Sequence, residues 1–82
     1  MSKRKFEIEG VRMTANDAWC FYVGDQSTTE FMDYNEHRTP RQAVERYVSE
    51  CPLCVGMLTD DESRLFDALV EHITNDTASV EG

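Results

Sequence analysis

The sequence lacks any long run of apolar residues. None of its 82 residues fall in a stretch approaching the ~20 consecutive apolar residues that a membrane-spanning helix needs. The opening MSKRKFEIEG passes from a basic cluster directly into alternating charged residues, without the apolar core of a secretion signal. We therefore expect a soluble, cytoplasmic protein.

Residue types that carry catalytic chemistry are also scarce. The chain has two histidines, His37 and His72, and no glycine-rich phosphate loop. A domain of this size buries only roughly 60 to 65% of the surface that its unfolded chain exposes, so a site for a large cofactor competes with the core for the same residues. We expect a non-enzymatic protein without a cofactor.

Positive charge is in short supply as well. Eight lysines and arginines face sixteen aspartates and glutamates, and the formal net charge is −8. Residues 13–37 contain five carboxylates and no lysine or arginine, and residues 51–82 contain seven carboxylates and one arginine. Such a surface is repelled by a phosphate backbone and attracted to basic proteins, although acidity alone also keeps small domains soluble. The charge predicts no direct binding to nucleic acid or membrane, and a basic protein surface as partner.

The first half of the chain has the patterns of β-strands. Apolar residues alternate with glutamates over residues 6–9, and a bulge at Gly10 would continue the apolar face to Met13. The aromatic-rich segment AWCFYV (18–23) is typical of a central strand, and TTEFMDY (28–34) predicts a weaker edge strand. Turns are expected at 14–17 and 24–27.

The second half has the patterns of helices. Thr39-Pro40-Arg41-Gln42 supplies an N-cap, a proline at the first helical position and a glutamine at N3, and Pro52 ends this helix near residue 50. The segment 59–62 has the pattern of a second capping box, and the apolar stripe that follows ends at Ile73.

These patterns together predict an α+β fold. We expect a three-stranded antiparallel β-meander followed by two α-helices packed on one face, in the order β-β-β-α-α. The predicted domain covers residues 1–74, and residues 75–82 are predicted to form a flexible C-terminal tail.

The motif Cys51-Pro52-Leu53-Cys54 allows three interpretations. The favoured one is structural, with small apolar residues at a helix end and no metal. A redox pair is disfavoured because the motif ends a helix, whereas an activated thiol lies at a helix N-terminus. The alternative is a small zinc-stabilised domain, in which Cys20 and His37 complete the ligand set and His72 is a remote substitute. Because three cysteines cannot all pair within one chain, a reducing compartment is expected.

The remaining candidate for function is the acidic surface. Carboxylates from the predicted third strand and from the second helix would form one negative face if these elements lay side by side, and that face would compete with nucleic acid for a basic groove. Small size and acidity are shared by many phage-type inhibitors of host defence or of nucleic-acid enzymes. We therefore predict a protein-binding inhibitor that mimics nucleic acid, as in viral anti-defence. The predicted contact residues are Asp25, Glu30, Asp33, Glu36, Asp60, Asp67 and Glu71.

A second predicted mode of interaction uses the edge of the sheet. Two short helices cannot bury Phe31, Met32 and Tyr34 together, so the third strand would pair with its copy in a homodimer or receive a strand from a partner.

Overall fold

The fold is an α+β arrangement in which a two-stranded hairpin and several helices surround one long helix. The computed structural model describes residues 4–81, with side chains for residues 4–52 and 54–76. The elements in chain order are β1 (Lys5–Ile8), β2 (Val11–Thr14), α1 (Ala15–Ala18), a π-helical segment (Trp19–Val23), α2 (Thr28–Asp33), α3 (Pro40–Glu50), a 3₁₀ turn (Pro52–Cys54) and α4 (Thr59–Glu81). The α+β class is confirmed, but the predicted three-stranded meander is wrong because the sheet of the described residues has two strands.

The predicted first strand is in fact a complete hairpin. Strands β1 and β2 are antiparallel, with Phe6 opposite Met13 and Ile8 opposite Val11. Both residues between the strands have positive φ, 53° at Glu9 and 81° at Gly10. This is the backbone of a type I′ turn, whose twist matches that of the flanking strands. Gly10 therefore reverses the chain, and the predicted bulge is wrong.

The predicted second strand, residues 18–23, is helical. The predicted turn before it is the start of α1, where Thr14 Oγ1 accepts from the Asp17 N–H at 3.1 Å and the Asp17 carboxylate accepts from the Thr14 N–H at 3.2 Å. The helix widens into the π-helical segment and ends where the Gly24 N–H, at φ 95°, donates to the Trp19 carbonyl at 3.0 Å. Buried residues follow helical spacing at Ala15, Ala18, Trp19 and Tyr22, whereas Phe21 is 65% exposed.

The predicted third strand, residues 28–34, forms helix α2. Ser27 caps it by accepting the Glu30 N–H at 3.1 Å, and Thr28, Phe31 and Asn35 point inward at helical spacing. The helix explains why Phe31 and Met32 can both contact the core although they are adjacent. Because this segment is a helix, the third strand through which we predict strand pairing does not form. The homodimer itself stays a prediction.

Helix α3 matches the prediction closely. Thr39 and Gln42 form the capping box, with the Gln42 N–H donating to Thr39 Oγ1 at 3.2 Å and the Thr39 N–H donating to Gln42 Oε1 at 3.0 Å. Pro40 is its first residue and Glu50 its last. The predicted start and stop of this helix are therefore confirmed.

Helix α4 begins one residue before its predicted start and extends beyond the apolar stripe. The Glu62 N–H donates to the Leu58 carbonyl at 2.9 Å, so Thr59 is the first residue of the helix and not its N-cap. The helix continues past residue 74, where we expect the domain to end, and Asp76 accepts a hydrogen bond from the Thr28 hydroxyl. This contact links the first part of the predicted tail to α2.

The core is built around α4, which packs against β1, α1 and α3. Its inward face carries residues at i, i+4 and i+8 that are almost completely buried. The largest fully buried side chains are Ile8, Val44, Leu65, Leu69 and Ile73. Both strands and all four α-helices contribute buried side chains to this core. The surfaces described below therefore lie on packed helices.

Candidate protein-binding surface

Helix α2 and its flanking turns present a cluster of exposed carboxylates. Because Thr28 and Phe31 point into the core, Glu30 and Asp33 lie on the outer side of the helix. Asp25 precedes the helix and Glu36 follows it, and both are exposed. We call Asp25, Glu30, Asp33 and Glu36 the α2 acidic surface.

The α2 acidic surface is held in place by contacts on the inner side of the helix. The Phe31 ring packs edge-on against Trp19 and against Tyr47, with ring centroids 5.1 and 5.6 Å apart. The Trp19 indole N–H donates to the Gln26 carbonyl at 2.7 Å, which fixes the loop that carries Asp25. The backbone that carries these carboxylates therefore needs little ordering when a partner binds.

The charge of the α2 acidic surface is largely uncompensated. Among the described residues, Asp25, Glu30 and Asp33 form no ion pair. Glu36 lies 3.6 Å from the ring of His37, which is almost fully exposed. An ionic partner from another molecule would thus meet carboxylates that have no internal competitor.

Helix α4 carries the second group of predicted residues. Asp60, Asp67 and Glu71 fall within an arc of about 40° on the helix, because successive residues turn by about 100°. We call these three the α4 acidic stripe. The structure thus brings together the α2 members in one group and the α4 members in another.

Two arginines offset the charge of the α4 acidic stripe. Arg4 lies 3.4 Å from Glu71, and Arg64, within the same sector of the helix, donates to Asp61 at 3.0 Å. Arg64 also donates to the backbone carbonyl of Glu7 in β1 at 3.1 Å. The stripe therefore borders β1 and is more nearly neutral than the α2 acidic surface.

The two acidic groups do not form one face. Helix α2 reaches α4 at Asp76, which is about 140° to 180° around the helix from the stripe residues at 100° per residue. A single continuous face depends on a third strand lying beside α4. Thr28–Asp33 instead form helix α2, which contacts α4 at Asp76.

Tyr34, which we predict to stay exposed in an edge strand, is exposed at the end of a helix instead. Its side chain is 75% exposed directly after α2, between Asp33 and Glu36. Exposed tyrosines are common anchors in protein interfaces because they bury a large area with few rotatable bonds. Its place at the end of α2, beside Asp33 and Glu36, follows only once residues 28–33 are read as a helix.

The four residues of the zinc alternative do not meet. Cys51 and Cys54 are buried, whereas Cys20 lies exposed on the π-helical segment and His37 lies exposed after α2. Within the described part of the chain, no three or more His, Cys, Asp or Glu side chains are grouped to hold a metal ion. The proposed substitute His72 stacks on Trp19, with ring centroids 4.9 Å apart.

Three buried or partly buried thiol or phenol groups have raised pKa values. Burial, the neighbouring Cys51 thiol and the Glu62 carboxylate raise the pKa of the Cys54 thiol to about 12. Burial, together with the hydrogen bond from its hydroxyl to Glu9 at 3.1 Å, raises the pKa of Tyr22 to about 12. Burial and the adjacent Cys51 also raise the pKa of Tyr47. A thiol protonated at neutral pH is a poor nucleophile, which disfavours the redox interpretation further.

Comparison of the chain with protein-family models, with curated protein sequences and with solved structures gives no match. Over residues 4–81, no helix combines the length and the apolar character needed to cross a membrane. Function must therefore be inferred from the chemistry of the surfaces described above.

Proposed function

We propose that this protein is a small acidic binding module that covers a basic surface on a partner protein, with the α2 acidic surface as its principal contact. The observation that carries the proposal is the uncompensated charge of Asp25, Glu30 and Asp33 on a well-packed helix. Tyr34, exposed directly after Asp33, supplies an aromatic group beside this surface.

The partner that fits this chemistry is a protein with a groove for nucleic acid. Such grooves are lined with lysine and arginine that neutralise phosphates, and carboxylates at helical spacing can pair with the same side chains. Occupation of the groove would inhibit the partner, which is the role of many phage-type inhibitors. The α4 acidic stripe, which lies elsewhere on the molecule, contributes to long-range attraction and less to contact.

The test compares two charge reversals of equal size at different places. One variant carries Asp25→Lys, Glu30→Lys and Asp33→Lys, and the matched control reverses Asp60, Asp67 and Glu71 in the same way. Exposed ion pairs contribute about 0.2–1 kcal/mol each, so the α2 variant should lose about 1–3 kcal/mol of binding. This is about fivefold to 150-fold in Kd.

The assay uses immobilised wild-type protein to retain basic nucleic-acid-binding proteins, followed by measurement of Kd for each retained protein by calorimetry. Short duplex DNA should compete with the acidic protein for the retained partner. The proposal is refuted if both triple variants bind as tightly as wild type. Equal weakening by the two variants would mean that net charge acts without a defined contact surface, which also contradicts the proposal.

A further inference from the structure

Three sulfur-containing residues converge at the junction of α3 and α4. Cys51 follows the last residue of α3, and the Cys54 N–H donates to the Cys51 carbonyl at 3.0 Å across the 3₁₀ turn. Residues three apart in a 3₁₀ turn lie one above the other, so Cys54, the last residue of the turn, lies close to Cys51, which precedes it. Both cysteines are buried.

A second reverse turn brings Met57 to the pocket that Cys51 and Cys54 line. The Met57 N–H donates to the Cys54 carbonyl at 3.1 Å, and the chain reverses at Gly56, whose φ is 84°. Cys51, Cys54 and Met57 consequently line one pocket of about 260 Å³ beneath the end of α3. The exposed Val55 and Gly56 form its outer rim, so a small ion can enter from solvent.

The donor set at this pocket selects for a particular class of metal. Structural zinc sites need four ligands. Glu62 also lines the pocket, but it does not join the two thiols in a metal-binding group of three within the described residues. Soft monovalent ions such as Cu(I) instead favour thiolate and thioether sulfur. Two thiolates and one thioether form a complete set for such an ion.

We propose that Cys51, Cys54 and Met57 bind one thiophilic monovalent metal ion of the Cu(I) class. On binding, each cysteine loses its proton to solvent and forms one metal–sulfur bond, while Met57 donates a lone pair without releasing a proton. The oxidation state of the metal and of the sulfur atoms does not change. The metal site is remote in sequence from the α2 acidic surface. A negative result for metal binding would therefore not bear on the proposed protein-binding role, nor the reverse.

The experiment titrates the reduced full-length protein with Cu(I) under anaerobic conditions in competition with a chromogenic Cu(I) chelator. Wild type should withdraw one equivalent of Cu(I) from the chelator, and native mass spectrometry should show one copper per chain. Zn²⁺ added to the same concentration should not be retained. The variant Met57→Leu should bind the same single equivalent more weakly.

The third cysteine supplies a matched control. Cys51→Ser and Cys54→Ser should each lose the withdrawn equivalent, whereas Cys20→Ser should bind as wild type does. Loss of binding in Cys20→Ser, or retention in the double variant of Cys51 and Cys54, would overturn the proposal. Failure of wild type to compete with the chelator would overturn it as well.

Because substitution of a buried cysteine can weaken the fold, a second measurement uses wild type alone. Ag(I), a redox-inert ion of the same class, is added to isotope-labelled protein and followed by NMR. The largest shifts should occur at the Cβ signals of Cys51 and Cys54 and at the methyl signal of Met57. Shifts confined to Cys20 would show an adventitious surface thiol and refute the assignment.

Discussion

The hydrogen bond between Thr28 and Asp76 gives a sharp test of how α2 is attached to α4. Thr28 is buried and donates its hydroxyl proton, whereas Asp76 is exposed and accepts it. The two ends of this bond therefore have different access to water. Burial alone suggests that removing the side chain of the buried Thr28 costs more free energy of unfolding. We expect the reverse, with the larger cost for removing the exposed Asp76.

The magnitudes follow from what each deletion leaves behind. Thr28→Val removes the donor and leaves an exposed carboxylate that water can solvate, so the loss should be no more than about 1 kcal/mol. Asp76→Ala leaves a buried hydroxyl without its acceptor, and the cost should be about 1–3 kcal/mol. The exposed residue should thus be the more damaging one to remove, and the double variant should cost less than the sum of the two single variants.

Urea denaturation measures each free energy of unfolding, with the slope of the transition confirming that the unfolded states are comparable. Thr29→Val and Asn75→Ala, both at exposed neighbouring positions, are the controls and should lie within about 0.5 kcal/mol of wild type. Additive effects of Thr28→Val and Asp76→Ala, or a neutral Asp76→Ala, would refute the attachment of α2 to α4 through this bond.

Two further predictions concern local structure and pH. Thr14→Ala removes the capping side chain of α1 and should lower the free energy of unfolding by about 0.5–2 kcal/mol, whereas a residue in a simple turn would tolerate alanine; thermal unfolding against the exposed control Thr29→Ala distinguishes the two. Tyr22 has a pKa raised from 10 to about 12 in the folded protein, so its stabilisation is complete below pH 10 and is lost as the pH rises through about 12. Tyr22→Phe should make the melting temperature less dependent on pH in this window, and an unchanged slope would contradict the buried environment of the hydroxyl.

The helices that carry strong local signals were predictable, and the short ones were not. Thr39, Pro40 and Gln42 each satisfy or remove a backbone N–H at the start of α3, and Pro52 prevents its continuation, so the local chemistry determines the bounds. Over residues 18–23, by contrast, aromatic and β-branched residues favour a strand wherever a half-buried sheet surface is available. The described residues contain no third strand with which this segment could pair, and packing on α4 decides the outcome.

Periodicity was ambiguous for α1 and α2 because each is about one or two turns long. From Ala15 to Tyr22 the apolar residues fit the helical period of 3.6 residues. From Ala18 onward they also fit the strand period of two residues, and so short a segment cannot distinguish the two. The acidic capping signal Thr14–Asp17 was present and would have favoured the helix. The hairpin was likewise signalled by Glu9-Gly10, a pair suited to a tight turn.

The exposure of the candidate contact residues was predictable from their charge, but their grouping was not. Carboxylates are rarely buried without partners, so Glu30 and Asp67 were expected to face solvent. Which carboxylates share a surface depends on the side of α4 that α2 contacts, and this depends on Thr28, Phe31 and Trp19 meeting in the core. That arrangement is a property of the three-dimensional packing and has no local signature.

The hydrogen bond from Arg64 to the Glu7 carbonyl bears on how this protein avoids self-association. A two-stranded sheet has two free edges, and unpaired backbone groups on such edges can recruit strands from other chains into aggregates. The charged side chain of Arg64, which projects from α4, donates a hydrogen bond to a carbonyl on the outer edge of β1. The edge of β2 carries Arg12, and a second copy of the hairpin pairing with this edge would bring two arginines together. Charged side chains at both edges therefore oppose the pairing of hairpins from different chains.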